Sequence, residues 1–420
     1  MTPWPDMKVG RVARLISGVG FPHQYQGKTS GAHPFLKVSD LASAVSGYHL
    51  VTAQNWVDQA DLASLGARLA PKGAIVFPKV GAAMLKNPRR LLDLPAAMDN
   101  NLMAIVPNSG EPRFWLYALS TIDLGEISAG GALPYVNEGQ IRDLHIPFPS
   151  VEQQRHIADF LDAETARIDD LAFRQSDQSQ LLADRDVSNL SEVYQNLTQE
   201  YGSIRLRHIL LRIEQGWSPQ CDDRQVSGQE WGVVKAGCVN GGIFDPTQHK
   251  ALPDQVSPRK EYALKEGDLL MSRASGSTEL IGSVGIVPRL EHNLLLCDKV
   301  YRLSLDSRLG QAEFVARMLR SHMVREHIKM GISGGEGMAN NLPIAVVKDC
   351  VLPKAPLNVQ TSTARKLDRD FSRTARVRNA LQRSIKLLAE RRQALITAAV
   401  TGQFDVSTAS GRNVAEGVSV

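Results

Sequence analysis

The chain has 420 residues, of which 48 are basic and 44 acidic, giving a formal net charge of +4. With 43% hydrophobic and 22% charged residues, it has the composition of a globular protein that is long enough for two or three domains. It contains no apolar run long enough to cross a membrane and no signal-peptide pattern at its start, so we expect a cytoplasmic protein. The charge is compatible with a nucleic-acid partner but does not require one.

The first portion, residues 1–150, mixes short β-like runs with Gly and Pro, and is predicted to be α+β with a short helix at 113–119. One strand leads into a loop whose side chains have the chemistry to contact DNA, because Arg suits guanine, Asn suits adenine and Lys suits phosphate. The candidates are Lys79, Lys86, Asn87, Arg89 and Arg90. A loop of this composition is more often only solvated, so both interpretations stay open.

Residues 151–201 are predicted to form one long helix, preceded by Pro147 and Pro149 and closed by Gly202. Residues on one helical face recur every seven positions, as in a helix with a packed seam. The seam candidates are Leu161, Ile168 and Leu182. Between positions 151 and 200 there are four basic and eleven acidic side chains, a net charge of 4 − 11 = −7.

The second globular portion, residues 202–356, repeats the pattern of the first, with β-like runs and a helix predicted at 312–327. Here too a strand leads into a polar loop, and a glycine-rich stretch, GISGGEGMANN, ends in two amide side chains. The DNA-contact candidates of this portion are Lys235, Arg273, Ser275, Ser277, Asn340 and Asn341.

Residues 357–407 are predicted to form a second long helix, and residues 408–420 a disordered tail. The seam candidates of this helix are Leu367, Leu381, Leu388 and Leu395. Between positions 357 and 401 the net charge is 10 − 3 = +7, so the two helices are expected to pair with each other. A helix of ~45 residues runs ~65 Å, which makes the pair a candidate spacer. The alternatives are solvated faces that never meet, or an Arg-rich helix bound to phosphates.

The two halves of the chain are copies of each other. LLADR at 181–185 recurs as LLAER at 387–391, an offset of 387 − 181 = 206. Identical residues recur at the same offset, namely Asp143 and Asp349, Pro147 and Pro353, Gln154 and Gln360, and Leu161-Asp162 and Leu367-Asp368. Upstream the offset drifts, as insertions in surface loops would cause.

No catalytic motif is found in the sequence. The triplet Gly27-Lys28-Thr29 lacks the glycine that a phosphate-binding loop needs five positions earlier, where Pro22 stands. No Asn/Asp-Pro-Pro-aromatic tetrad for methyl transfer, no HExxH and no GxSxG occurs. The four cysteines form no C-x-x-C pair, so reduced thiols are expected rather than a zinc site. We therefore expect a binding protein rather than an enzyme.

Two segments resemble a known family. The run LLAERRQALITAAVTGQFDV at 387–406 closely resembles the distal conserved region of type I restriction–modification specificity subunits, and IPFPSVEQQRHIADFLDAETARID at 146–169 resembles their central region. The resemblance implies an α+β fold: two homologous mixed α/β target recognition domains separated by a long antiparallel two-helix coiled coil, with a pseudo-twofold repeat. It implies a non-catalytic subunit that reads a bipartite, asymmetric site on double-stranded DNA.

The same resemblance implies the partners. Two methyltransferase subunits would dock on the helices and motor–nuclease subunits would join them; S-adenosylmethionine, ATP and Mg would be bound by those partners, and no metal by this chain. The start of the second helix, PLNVQTSTARKL, lacks the Glu-Gln that the family usually shows there, which puts docking at this end in doubt.

Two other functions stay open on the sequence alone. One is a single-chain restriction–modification enzyme or its remnant, against which the missing catalytic motifs argue. The other is a coiled-coil DNA-binding regulator that has no restriction partners. The genes beside this one would distinguish that regulator from a specificity subunit.

Overall fold

The computed structural model describes residues 4–42, 48–50, 53–128, 133–333 and 340–406; the tail predicted at 408–420 lies outside them. The chain divides into two compact units. Unit 1 comprises Met1–Ser176 and Gln382–Val420, and unit 2 comprises Asp177–Leu381. Each unit therefore contains one globular portion and one part of each long helix.

Unit 1 begins with a mixed α/β portion. Its strands are β1 Asp6–Lys8, β2 Ala13–Ser17, β3 His33–Leu36, β4 His49–Leu50, β5 Asn55–Val57, β6 Ile75–Pro78, β7 Arg90–Leu92, β8 Ala97–Met98, β9 Leu102–Pro107 and β10 His145–Pro147. Its helices are α1 Val9–Val12, α2 Val38–Ala42, α3 Gln59–Leu65, α4 Gly81–Leu85, α5 Pro112–Ser120, α6 Leu124–Ile127 and α7 Glu138–Arg142, followed by the long helix α8, Val151–Tyr201.

The strands of unit 1 form two main sheets. One has the order β2-β9-β6-β7-β4 and is antiparallel except between β7 and β4. In the other, β3 lies between β5, to which it is antiparallel, and β8, to which it is parallel. Strand side chains alternate between faces, so Ile75 and Phe77 of β6 join a core built around the fully buried Trp115 of α5, whereas Val76 joins another.

Unit 2 repeats this architecture. Its strands are β11 Ser203–Arg205, β12 Leu210–Gln215, β13 Trp231–Val234, β14 His249–Ala251, β15 Leu269–Ser272, β16 Ala274–Ser275, β17 Val284–Ile286, β18 Asn293–Leu295, β19 Val300–Leu305, β20 Asn340–Asn341 and β21 Val351–Pro353. Its helices are α9 Ala312–Leu319, α10 His322–Met330, α11 Ile344–Asp349 and the long helix α12, Leu357–Thr401.

The sheets of unit 2 match those of unit 1. An antiparallel sheet has the order β12-β19-β15-β17, and β13 lies between the antiparallel β14 and the parallel β18. In both units a short antiparallel pair, β1 with β10 or β11 with β21, joins the start of the globular portion to the segment before the long helix. The predicted pair of homologous α/β domains is confirmed.

The prediction of a single helix at 312–327 is wrong. The structure has two helices, α9 and α10, separated at Arg320 and Ser321. Ser321 has extended backbone angles, φ −62° and ψ 150°, and occupies the N-cap of α10. Serine is among the preferred residues at that position, so the break had a signal within the apolar pattern. The helix predicted at 113–119 is present as α5.

Within unit 1, the long helices pack together in an antiparallel arrangement. The Phe160 ring lies 5.5 Å from that of Phe404, and farther along α8 the Asp169 Oδ1 lies 2.8 Å from the Arg392 Nε of α12. Of the seam candidates in this unit, Leu161 and Leu395 are fully buried, Ile168 is 7% exposed and Leu388 is half-buried.

Within unit 2, the other parts of α8 and α12 share a core that contains Leu190 and Tyr194 from one helix and Leu367 from the other. The seam candidate Leu367 is fully buried, whereas Leu182 and Leu381 are half-buried. Helix α8 ends directly before Gly202, whereas α12 ends at Thr401, six residues before the predicted end at 407. Gly202 and Gly402 have φ of +75° and +73°, a left-handed conformation that glycine adopts at a helix end without steric cost.

The opposite charges of the two helices form few contacts. Arg392 pairs with Asp169 in unit 1, but no ion pair joins the described parts of α8 and α12 within unit 2. There a cleft of about 650 Å³ lies between the helices, lined by Arg185 and Glu192 of α8 and by Lys366 and Arg373 of α12, among others. Apolar packing therefore holds these helix segments together, and most of their charges face solvent.

A duplicated glutamine joins each globular portion to its long helix. Gln154 and Gln360, the fourth residues of α8 and α12, are 0% and 3% exposed. The Oε1 atom of each accepts a hydrogen bond at 2.9 Å from a backbone amide, that of Glu111 or of Gln311, which are the N-cap residues of α5 and α9. Each Nε2 donates to the carbonyl five residues earlier, at 2.9 Å from Gln154 and 2.8 Å from Gln360.

Two duplicated aspartates make equivalent ion pairs. Arg113 and Arg317 each approach their aspartate, Asp162 or Asp368, to 2.7 Å. In the same way Asp143 accepts from Lys8 at 3.1 Å and Asp349 accepts from Arg205 at 3.0 Å. Among the residues that recur at the offset of 206, Gln154, Gln360, Asp162 and Asp368 therefore fasten each globular portion to its long helix.

Candidate nucleic-acid interface

In unit 2, four of the sequence-predicted residues meet on one short ladder. Arg273 and Ser275 lie on or next to β16, which runs antiparallel to β20, formed by Asn340 and Asn341. The Leu342 amide donates to the Arg273 carbonyl at 2.8 Å and extends the ladder by one step. Residues that are far apart in the sequence thus present cationic, hydroxyl and amide side chains at one edge.

Neighbouring loops anchor the Arg273 side of the ladder. The Arg273 amide donates to the Lys299 carbonyl at 2.8 Å, and the Arg273 Nη1 donates to the Asp298 carbonyl at 3.1 Å. The Ser218 hydroxyl is hydrogen-bonded to the Asp298 side chain. Arginine has five N–H donors, so this anchor leaves donors for a ligand while it fixes the direction of the half-buried side chain.

The other two candidates of unit 2 differ in placement. Ser277 is exposed and follows the ladder, where its amide donates to the Ser275 hydroxyl at 3.2 Å. Lys235 follows β13 in the other sheet, and its ammonium lies 3.6 Å from Asp223. Lys250, with Lys235, lowers the pKa of the Asp223 carboxyl. The ladder therefore does not include Lys235.

Unit 1 has an equivalent ladder, in which Lys79 takes the place of Arg273. The Lys79 amide donates to the Asn101 carbonyl at 2.8 Å, and the Val136 amide donates to the Lys79 carbonyl at 2.9 Å. Val80 forms an antiparallel bridge with Tyr135, as Ala274 does with Asn341. In both units the ladder follows directly after the central buried strand, β6 or β15.

Two further candidates of unit 1, Lys86 and Asn87, differ in whether their side chains make contacts within the fold. Lys86 is exposed. Asn87 has φ +55°, and its side chain donates to the Ile122 carbonyl at 2.9 Å and accepts from the Leu124 amide at 3.2 Å. It therefore stabilises a turn, and the described contacts give its side chain no role at the surface.

Two arginines that were candidates for base contact are largely used inside unit 1. Arg89 is 3% exposed, donates to Asn87 Oδ1 at 3.0 Å and lies 5.1 Å from the centre of the Phe77 ring; burial lowers the pKa of its guanidinium to about 10. Arg90 is half-buried in β7, and burial lowers its pKa as well. Because Arg89 is buried and the Asn87 side chain is used in a turn, we leave both residues out of the proposed interface.

Sequence reasoning missed Tyr135, which pairs with Val80 next to Lys79, and the nearby Leu133; these side chains are 46% and 63% exposed. A signal was present, because the offset of 206 extends upstream of Asp143 and places Tyr135 at 135 + 206 = 341. At the same offset Val136 corresponds to Leu342, and both are buried.

The described residues were also searched for other kinds of site. Among them, no group of three or more His, Cys, Asp or Glu side chains is placed to hold a metal ion. No helix in the described ranges is long and apolar enough to cross a membrane. Burial raises the pKa of the Cys297 thiol to about 11 and that of the Cys350 thiol to about 12, so these thiols stay protonated.

Comparison with known proteins relates the first part of the chain to one family. Residues 1–174 match the family described as "Type I restriction modification DNA specificity domain". Over these residues the chain is similar to the DNA specificity domains of type I restriction–modification systems. It is 22% identical over 296 residues to the EcoKI specificity subunit of Escherichia coli strain K12, an alignment that covers 67% of this chain and 62% of the relative. The EcoEI specificity subunit of Escherichia coli is 24% identical over 179 residues, which are 42% of this chain and 30% of that one.

Solved structures of this family share the fold. One chain, from a study of "complex assembly and conformational transition of the type I R-M system", superimposes with a TM-score of 0.69 at 17% identity and covers 96% of this chain and 100% of its own length. The HsdS subunit of Thermoanaerobacter tengcongensis superimposes with a TM-score of 0.50 at 18% identity, covering 96% of this chain and 97% of that subunit.

Proposed function

We propose that this chain is the sequence-specificity subunit of a type I restriction–modification complex and binds double-stranded DNA at a bipartite, asymmetric site. The observation that carries the proposal is the repeated ladder, which presents Lys79 in unit 1 and Arg273 in unit 2 after equivalent strands. A cation fixed on a rigid strand end suits a phosphate or a guanine edge. Because the side chains around the two ladders differ, the two half-sites should differ.

Selection from a library of randomised duplexes by the full chain tests DNA reading directly. We expect enrichment of a motif with two separated parts, and an affinity that falls steeply with salt as Lys and Arg displace counterions from phosphates. Equal affinity for all duplexes, or a motif with a single part, would overturn the proposal. Methylation profiling of the host genome gives an independent reading of the same motif.

The two long helices, in this proposal, set the spacing of the half-sites. They have 51 and 45 residues, and linked binding modules gain affinity only when the linker matches the separation of their sites. Inserting one heptad into each helix adds about 10 Å of helix, which corresponds to about three base pairs. The selected motif should keep both parts and widen its gap; an unchanged gap would refute the spacer.

The exposed apolar side chains of the helices are the proposed docking surface for two methyltransferase subunits, which a motor–nuclease subunit would join. Phe173 of α8 is 71% exposed, and Leu387 of α12 is 64% exposed; large exposed apolar side chains mark interaction sites. We expect Phe173→Ser to reduce co-purification of the methyltransferase, and Gln178→Ser, at another exposed position of α8, to leave it unchanged. If both variants recover equal amounts of methyltransferase, Phe173 is not part of the docking surface.

The proposed role of the chain is recognition, and the chemistry would belong to its partners, which would bind S-adenosylmethionine, ATP and Mg. The purified chain is expected to transfer no methyl group and to cut no DNA when these compounds are supplied. Turnover that remains after further purification would assign a reaction to this chain.

A further inference from the structure

The two ladders place side chains of different chemistry at one equivalent position. In each ladder an amide, that of Val136 or Leu342, donates to the carbonyl of the cationic residue, at 2.9 Å in unit 1 and 2.8 Å in unit 2. The residue just before that amide is Tyr135 in unit 1 and Asn341 in unit 2. Both residues form an antiparallel bridge with the residue that follows the cation.

The strand geometry directs these two side chains away from the core. Val136 and Leu342 are 2% and 1% exposed and belong to the main cores of their units. Successive side chains of an extended segment point to opposite faces, so Tyr135 and Asn341 point to the outer face. In agreement, Tyr135 keeps 46% of its surface exposed, whereas Phe114 and Trp115 of the same unit are fully buried.

We propose that Tyr135 and Asn341 determine specificity at equivalent positions of the two half-sites, and that they do so by different chemistry. The inference rests on the proposed function. An asparagine amide pairs with adenine through one donor and one acceptor, whereas an aromatic ring offers apolar contact to the methyl group of thymine. The half-sites should therefore prefer different bases at the position that each ladder reads.

Exchanging the two side chains tests the inference. The variants Tyr135→Asn and Asn341→Tyr, as full chains, are used to select from the same library of randomised duplexes as the wild-type chain. Each variant should change the preferred base at one position, in one half-site only, with a change in preference of about tenfold to a hundredfold, since one good base contact discriminates by that much. Leu94→Asn is the matched control, because Leu94 is also 46% exposed in unit 1 but lies in another loop.

The possible outcomes separate this inference from the function on which it rests. If the wild-type chain selects no two-part motif, the proposed function fails and the inference fails with it. If the wild-type chain selects such a motif and both exchange variants select it unchanged, the inference alone is overturned. If an exchange variant melts below the wild-type chain, Tyr135→Gln or Asn341→Asp, which change the hydrogen-bonding groups without adding a larger side chain, replaces it, and a change of preferred base in the same half-site only is required.

Discussion

Replacing Gln154 by alanine should destabilise unit 1 by removing its attachment to α8. The Gln154 side chain is fully buried, accepts from the Glu111 amide at 2.9 Å and donates to the Pro149 carbonyl at 2.9 Å. Alanine removes both partners at once and leaves a donor and an acceptor without hydrogen bonds. The N-cap of α5 and the chain entering α8 are the two segments that lose their connection.

The size of the effect follows from those two groups. A buried donor or acceptor that loses its partner costs about 1–3 kcal/mol, so the two together should lower the free energy of unfolding by about 2–6 kcal/mol. Gln154→Glu keeps the size and the acceptor for Glu111 but loses the donor to Pro149, and in addition buries a carboxylate. It should therefore destabilise at least as much as alanine, although it leaves no cavity.

Urea denaturation followed by circular dichroism measures the loss, and hydrogen exchange of the Glu111 amide reports it locally. Gln178→Ala is the matched control, because Gln178 is an exposed glutamine of α8. The duplicate Gln360→Ala removes three bonds from unit 2, those of 2.9 and 2.8 Å and a further one of 3.0 Å to the Leu309 carbonyl, and should give a loss at least as large. If all three variants are equally stable, the attachment inferred from the buried glutamines does not exist.

Other measurements follow from the titratable groups of unit 2. With Ellman's reagent the native chain should expose at most the half-buried Cys221 thiol, since the other three thiols are buried; rapid labelling of all four would contradict the described cores. Hydrogen bonds from Arg224 and Ser227 lower the pKa of Glu230 from 4.5 to about 2. This carboxylate therefore adds stability above pH 4.5 that is lost as the pH falls towards 2, so the stability difference between wild type and Glu230→Gln should shrink over that interval. A difference that is constant with pH would show that the ion pair does not stabilise the fold.

The long helices were predictable because their signals are local. Heptad spacing, proline before the first turn and glycine after the last one act within a few residues of the chain, and α8 and α12 end directly before Gly202 and Gly402. The division at Ser321 was missed because the apolar pattern continues across it. The mutual pairing of opposite charges was also expected, but in unit 2 a cleft lies where ion pairs would have formed.

The candidate interface was predicted only in part, because it depends on pairing between distant segments. Composition singled out Arg273 and Asn341 separately, and only the fold brings them to one ladder. For the same reason the composition of the loop made Arg89 a candidate for DNA contact, although Arg89 is buried against the ring of Phe77 and a carbonyl at position 122. Tyr135 was missed because its aromatic character does not show whether it is buried, and because the offset of 206 that pairs it with Asn341 was not followed upstream of Asp143.

In the internal repeat, the residues that attach each globular portion to its long helix kept their identity, whereas the ladder residues did not. The residues that kept their identity in both copies, Gln154 with Gln360 and Asp162 with Asp368, lie in the long helices and make equivalent bonds to the globular portion of their unit. The ladders kept their backbone hydrogen bonds but not their side chains. The hydrogen bonds of a backbone ladder form whichever side chains its residues have, whereas a buried glutamine side chain needs partners for both its donor and its acceptor. Substitution at the ladder should therefore cost little stability, and the side chains that we propose to contact DNA can change while each globular portion stays fastened to its helix.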